Sequence, residues 1–267
     1  MKKVAIGIIG YGSMGKMLFN KLCKDSSYNV YITNRSREKL QEVPQNLICK
    51  SNVELANMSD VIFLCVRPND IKLVLEEIKP IVNNEKLLVS LNGSVSFATI
   101  EKVIHCKTSK VIPSITAEIN KSQTLVCHNK LVTLEDKILL KDILNKLGTV
   151  IELPESEMGM GSELVSCMPG FMASIFDVLC NSAKKHTEIS EKQIVEMVLK
   201  TLEATSSLML NKNYTFENVV DRVATKGGIT QEGTSVVYEN FPAIADELFQ
   251  KTLEKRRITA EKAEMNF

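Results

Sequence analysis

Only three histidines occur in 267 residues, His105, His128 and His186, and they stand far apart, so a metal centre built on imidazole ligands is not expected. An excess of one charge is missing too: 33 basic residues against 32 acidic ones leave a net charge of +1, spread along the chain. No field of either sign would recruit nucleic acid or an anionic membrane. The seven cysteines, Cys23, Cys49, Cys65, Cys106, Cys127, Cys167 and Cys180, form no CxxC pair, and several lie inside apolar segments where a small thiol simply packs. That usage implies a reduced, cytoplasmic chain. No internal repeat or low-complexity linker is present, and no apolar run reads as long enough to cross a membrane. What remains, 44% hydrophobic and 24% charged, is the composition of a globular protein that can bury a real core.

What the chain does have is a glycine-rich turn at its start. Val4-Ala5-Ile6 opens an apolar strand that runs into Gly10-Tyr11-Gly12-Ser13-Met14-Gly15 and then an amphipathic stretch to Leu22. In a GxGxxG turn the first glycine permits the tight bend and the second lets backbone approach a pyrophosphate. The third lets the helix pack on the strand with its N-terminal amides facing the phosphates. A second strand, Val30-Tyr31-Ile32-Thr33, follows at the spacing of a βαβ unit, which favours dinucleotide binding over a merely structural turn. The acid that NAD-specific sites place after that strand is absent. Asn34-Arg35-Ser36-Arg37 stands there instead, and Arg35 and Arg37 could hold a 2′-phosphate, with Ser36 as a further donor or as the cap of the next helix. NADPH is therefore favoured, with NADH as the alternative.

Strand candidates at 4–9, 29–33, 47–49, 61–66, 87–91, 110–112, 124–128 and 149–153 alternate with helical segments such as 69–79, 96–105 and 133–147. Val61 to Val66 is apolar at every position, so both faces of that strand are covered, and a doubly wound parallel sheet is expected. After Pro154 the pattern is helical throughout, over 156–184, 190–211, 215–223 and 242–263, with Thr215 an N-cap and Pro242 at a first turn. The reading is thus an α/β Rossmann-type domain over 1–154 and an all-helical domain over 155–267. The apolar stripes Ile194, Val198, Leu202, Leu208 and Ile244, Leu248, Phe249, Leu253 suggest burial against a second subunit as readily as packing within the chain, and a homodimer built through this domain is expected.

Ligands in such sheets lie beyond the carboxyl ends of the strands. The loops holding Val66, Arg67 and Pro68, then Asn92 and Gly93, then Ser114 therefore share a rim with the glycine turn. A second candidate segment is Val223 to Gly233. Its Gly227-Gly228 pair, followed by a helix start, would expose backbone amides to a small carboxylate, or would serve only as an interhelical turn.

Taken in order along the chain, these segments resemble the pyrroline-5-carboxylate reductases. Gly10 to Gly15 is similar to that family's GxGNMG-type turn, Val61 to Pro68 to its strand ending in Val-Lys-Pro, and Leu88 to Glu101 to its next strand and turn. Val111 to Ala117 resembles its Met-Pro-Asn-Thr-Pro-Ala loop, Leu164 to Gly170 its Ser-Gly-Ser-Gly-Pro-Ala helix start, and Val223 to Gly233 its Ser-Pro-Gly-Gly-Thr-Thr loop. The resemblance implies NAD(P)H-dependent reduction of a cyclic imine to proline by a cytoplasmic homodimer joined through the helical domain, with a larger ring found in much of the family. It implies a substrate carboxylate on amides around Gly227, Gly228, Ile229 and Thr230, flanked by Thr225 and Lys226. Thr230 would be the catalytic hydroxyl near the imine nitrogen.

Ser114, Thr116, Lys226 and Ile229, with Val165, Cys167 and Met168, depart from the family's usual residues and are similar to a branch of reductase-like proteins associated with a competence operon. Two other readings stand beside the reductase. A β-hydroxyacid dehydrogenase has the same architecture but needs a lysine and an asparagine on one helix face, and Ser162 to Asp177 offers neither. A nucleotide-binding regulatory protein that lost efficient turnover would accommodate the departures at Ser114 and 165–168.

Overall fold

The computed structural model describes residues 3–267. Seven strands, β1 (Val4–Ile9), β2 (Tyr28–Thr33), β3 (Val61–Leu64), β4 (Leu87–Ser90), β5 (Thr108–Ile112), β6 (Ser122–His128) and β7 (Gly148–Glu152), form one sheet in the order β2-β1-β3-β4-β5-β6-β7. The chain leaves β1 toward β2 on one side and returns as β3 on the other, so a crevice opens beyond the carboxyl ends of β1 and β3.

Side chains alternate across the sheet. Ile6, Ile8, Phe63 and Val89 face α1 (Ser13–Leu22) and α5 (Leu134–Asn145), packing on Leu18, Leu22, Leu140 and Leu144. Ile9, Ile62, Leu64 and Leu88 face α2 (Asn52–Met58) and α3 (Ile71–Ile78), meeting Leu55, Ile71, Leu75 and Ile78. Each such fully buried side chain stabilises the fold by roughly 1.5–3 kcal/mol over an exposed one, which is why every residue of β3 and β4 is buried. The short α4 (Phe97–Glu101) follows β4.

Two strand expectations need correction. Residues 47–49 form no strand; Ile48 makes a single bridge to Ile32 after a short 3-10 turn at Gln45–Leu47. The sheet is also not wholly parallel, because β6 runs antiparallel to β5 while β7 runs parallel to β6. The connection from β5 to β6 contains only the 3-10 turn Ile115–Ile119 and Asn120 at φ 59°, too little chain for a crossover.

Beyond β7 the chain is helical: α6 (Met158–Ser162), a π-helical turn at Glu163–Cys167, α7 (Met168–Ala183), α8 (Glu191–Lys212), α9 (Phe216–Val223) and α10 (Ile229–Glu264). Pro169 has no N–H to give the carbonyl four residues back, and the wider π turn ends two residues before it. Helix therefore continues through residues that read as breakers. The helical run Glu155–His186 holds an 18-residue window of mean hydropathy 1.4 and is, by length and composition alone, long and apolar enough to cross a membrane, which corrects the expectation that no run is. Thr215 caps α9 as expected, in a reciprocal pair with Asn218. Pro242 does not open the last helix; α10 begins thirteen residues earlier and Pro242 lies inside it.

Two compact units result. One runs to Pro169 and includes Leu253–Phe267, so that Ala263 is buried beside the α2–α3 face of the sheet and Lys102 pairs with Glu264 at 3.2 Å. The other, Gly170–Thr252, leaves Val178, Leu179, Leu199, Leu210, Val236 and Ile244 largely exposed. A set of large apolar side chains of that extent marks a surface made to be covered.

Candidate functional site

The glycine turn is built from contacts that separate its three glycines. Gly10 adopts φ +104°, donates its N–H to Thr33 O at 2.9 Å, and has Cys65 O only 2.6 Å from where a Cβ would stand. At Gly15 a Cβ would lie 2.0 Å from Gly10 O. The chain's own packing requires both glycines. Gly12 differs: it precedes α1 as the N-cap, is exposed, and has nothing within 4 Å of a built Cβ. The amides of Gly12, Ser13 and Met14 make no hydrogen bond among the described residues, and no acid sits in the first turn of α1. An uncompensated helix N-terminus with free amides and room for close approach fits a pyrophosphate.

Asn34 braces this turn. Its Oδ1 accepts from Tyr11 N at 2.9 Å and its Nδ2 donates to Ser36 O at 2.8 Å, so Tyr11 has no amide to offer. The Tyr11 ring is buried edge-on to Phe19, with centroids 6.0 Å apart. Arg35 is 86% exposed in its side chain and held only by Asp70 at 3.2 Å. Such a surface pair contributes about 0–1 kcal/mol, so Arg35 can turn to a phosphate at little cost. Arg37 donates to Lys50 O at 2.6 Å. Ser36 takes the cap position of the 3-10 turn Arg37–Leu40, but its hydroxyl makes no cap bond, contrary to the capping expectation, and so stays uncommitted.

The other rim loops follow β3, β4 and β5. Val66 and Pro68 are partly buried and Arg67 is exposed, while Asn92 and Gly93 are half-buried, with Asn92 Oδ1 accepting from Ser94 N at 2.9 Å. Ser114 lies beneath the rim. It is buried, its hydroxyl accepts from Thr116 N and its N–H donates to Ser122 Oγ at 3.0 Å, so it braces its loop.

In the helical unit, Gly227 adopts φ +74° and donates its N–H to Gln231 Oε1 at 2.6 Å, while Gly228 N–H donates to Thr225 O at 2.8 Å. Of the four amides expected to form a cradle, those of Gly227 and Gly228 are thus engaged within the chain, while those of Ile229 and Thr230 make no hydrogen bond among the described residues. Thr225, Lys226, Ile229 and Thr230 are exposed, and the Thr230 hydroxyl has no partner among the described residues. Gln231 was not singled out from sequence. Its signal was the polar residue three places after a diglycine, the spacing at which a side chain reaches back over a helix start.

A third constellation also escaped the sequence reading. Glu163, 1% exposed, receives Arg256 Nε at 3.0 Å and Nη2 at 2.7 Å, and Arg256 Nη2 also donates to Ser162 Oγ at 3.0 Å. The Cys167 thiol beside it is raised, first by burial and then by the Glu163 charge. Burial likewise pushes Cys49 and Cys127 to about 11 and raises Cys65 and Cys106, which favours the neutral thiol at each.

Known proteins match along the whole chain. Residues 5–94 match the family described as NADP oxidoreductase, coenzyme F420-dependent, and residues 155–258 the family described as pyrroline-5-carboxylate reductase dimerisation. Pyrroline-5-carboxylate reductase 3 of Bacillus subtilis (strain 168) is 33% identical over 263 residues, covering 96% of this chain and 97% of that protein. The chain belongs to the pyrroline-5-carboxylate reductase family. This family consists of NAD(P)H-dependent oxidoreductases, and ComE operon protein 4 of the same organism, 26% identical over 92% of this chain and 93% of its own length, is similar as well. In fold the chain resembles the Plasmodium falciparum pyrroline carboxylate reductase solved with NADP bound, at TM-score 0.87, 23% identity and coverage of 97% and 99%. The enzyme from Streptococcus pyogenes gives 0.86, 21%, 96% and 98%. The matches favour neither the β-hydroxyacid dehydrogenase nor the regulatory reading.

Proposed function

We propose that this member of the family reduces the C=N bond of 1-pyrroline-5-carboxylate to give proline, with NADPH as its coenzyme. The observation that carries the reading is Gly12, a glycine that nothing among the described residues requires, at a helix start whose amides bond to none of them. Residues 1–154 hold the coenzyme and 155–267 supply dimerisation and substrate binding, in a cytoplasmic homodimer that can build a larger ring.

Bound NADPH supplies the hydride that adds to the imine carbon. The chain's own part is positioning. The amides of Gly12, Ser13 and Met14 take the pyrophosphate, and Arg35, with Arg37 and Ser36, takes the 2′-phosphate. The amides of Ile229 and Thr230, with Lys226 nearby in sequence, hold the substrate carboxylate, and Thr225 flanks it. The Thr230 hydroxyl, directly or through water, delivers the proton that the imine nitrogen gains as the C=N bond becomes C–N.

Purified protein should oxidise NADPH in step with proline formation, and Thr230→Ala should lower kcat/KM about 10–100-fold while leaving NADPH binding intact. Tight NADPH binding without any proline would overturn the assignment of substrate. Nucleotide choice has a separate test. Arg35→Ala/Arg37→Ala should raise KM for NADPH by about tenfold or more and barely change that for NADH, since a charge-assisted contact to phosphate is lost only with the former. Equal effects on both coenzymes would remove the role given to these arginines.

A further inference from the structure

Glu163 is the one charged residue between Glu157 and Asp177, and it stands on the π-helical turn Glu163–Cys167. Such turns gather at functional sites. Both Arg256 bonds go to its Oε1. Its Oε2 is buried with no hydrogen-bond partner, the one side-chain atom so left among the described residues. A carboxylate oxygen sealed from water without a donor is unfavourable, and native proteins keep few of them.

The surroundings say what could bring that donor. Arg256 Nη1 makes no bond among the described residues and lies 3.5 Å from a Cβ built on Gly93, whose other neighbour is Ile112 at the end of β5, 3.0 Å away. The cluster therefore borders the rim at the ends of β4 and β5. A dinucleotide with its pyrophosphate on the β1 turn and its adenosine beyond β2 extends its other half across the switch point, toward this rim. That half ends in a nicotinamide ring, whose primary carboxamide carries two N–H donors.

We propose that Glu163 Oε2 accepts an N–H of the coenzyme's carboxamide, making Glu163 the residue that distinguishes a nicotinamide from a nicotinic acid ring. Arg256 is its positioning residue, fixing the carboxylate through Oε1 so that Oε2 is the end left over. The inference rests on the coenzyme reading above, and its test separates the two.

Calorimetric titration of the full chain would use NADP+, its deamido analogue nicotinic acid adenine dinucleotide phosphate, and 2′-phospho-ADP-ribose, which lacks the ring. The unaltered protein should prefer NADP+ over the deamido analogue by about 30-fold or more, because the analogue sets a carboxylate against a carboxylate. Glu163→Gln, which can donate as well as accept, should narrow the preference to within about threefold and leave 2′-phospho-ADP-ribose binding alike. Equal binding of the two dinucleotides by the unaltered protein, which needs no variant, or an unchanged preference in Glu163→Gln would overturn the inference. Failure of 2′-phospho-ADP-ribose to bind would sink the coenzyme reading itself, and this inference with it.

Discussion

Gly15→Ala is expected to destabilise the protein by about 3 kcal/mol or more, at the upper end of what overpacking costs. The added methyl would stand 2.0 Å from Gly10 O, a backbone atom that cannot turn aside as a side chain can. Gly10 is itself fixed by its N–H bond to Thr33 O and by the nearness of Cys65 O, so relief would require moving β1, β2 and the β3 loop together. In a chain of this size that loss corresponds to a fall in Tm of roughly 6–12 °C or more. Gly12→Ala provides the contrast. With nothing within 4 Å of its Cβ, it should keep Tm within about 2 °C, yet weaken NADPH binding by more than about tenfold, because a methyl group then stands where the pyrophosphate approaches. Thermal melts with and without coenzyme read both effects. A Gly12→Ala protein that bound NADPH normally would leave the turn as a structural bend only.

The second large effect is expected at Arg256. Removing the guanidinium by Arg256→Ala leaves the Glu163 carboxylate buried without its cation, and breaking a buried ion pair on one side costs about 3–5 kcal/mol. The lower end applies here, since the Arg256 side chain is itself 22% exposed and water can enter where it stood. Replacing both partners should recover most of the loss. In Glu163→Leu/Arg256→Leu no charge remains in the pocket, and apolar pairs often equal the ion pair they replace. Urea denaturation at one fixed protein concentration decides it, because a dimer's apparent stability shifts with concentration. A double variant as unstable as Arg256→Ala would mean that the pair contributes by shape and not by charge.

Much of this architecture can be read from the residues because local and global signals agree in it. The glycine turn, the all-apolar strand at Val61 to Leu64 and the cap at Thr215 each point to one structure at every scale. The misreadings have identifiable causes. The hydrophobic pattern does not carry strand direction, so β6 read as parallel; the deciding fact is that the link from Ile112 to Ser122 holds no crossover helix. Pro242 has the propensity of a helix start, but a helix already begun at Ile229 runs through it. Gln231 and Ser114 engage backbone groups that a linear reading leaves free. Glu163 and Arg256 lie 93 residues apart, and only folding brings them together; the legible trace was a lone acid inside an apolar stretch.

The return of Leu253–Phe267 to the sheet bears on how the protein is made. Ala263 and Phe267 fill part of the face that α2 and α3 cover, and Arg256 neutralises Glu163, yet all three leave the ribosome some hundred residues after β7. The nucleotide-binding half therefore cannot finish folding in the order of synthesis, as most N-terminal domains do. Its apolar flank stays open until residues 253–267 have been made, so their arrival, and not emergence of the last strand, is the moment at which this half closes.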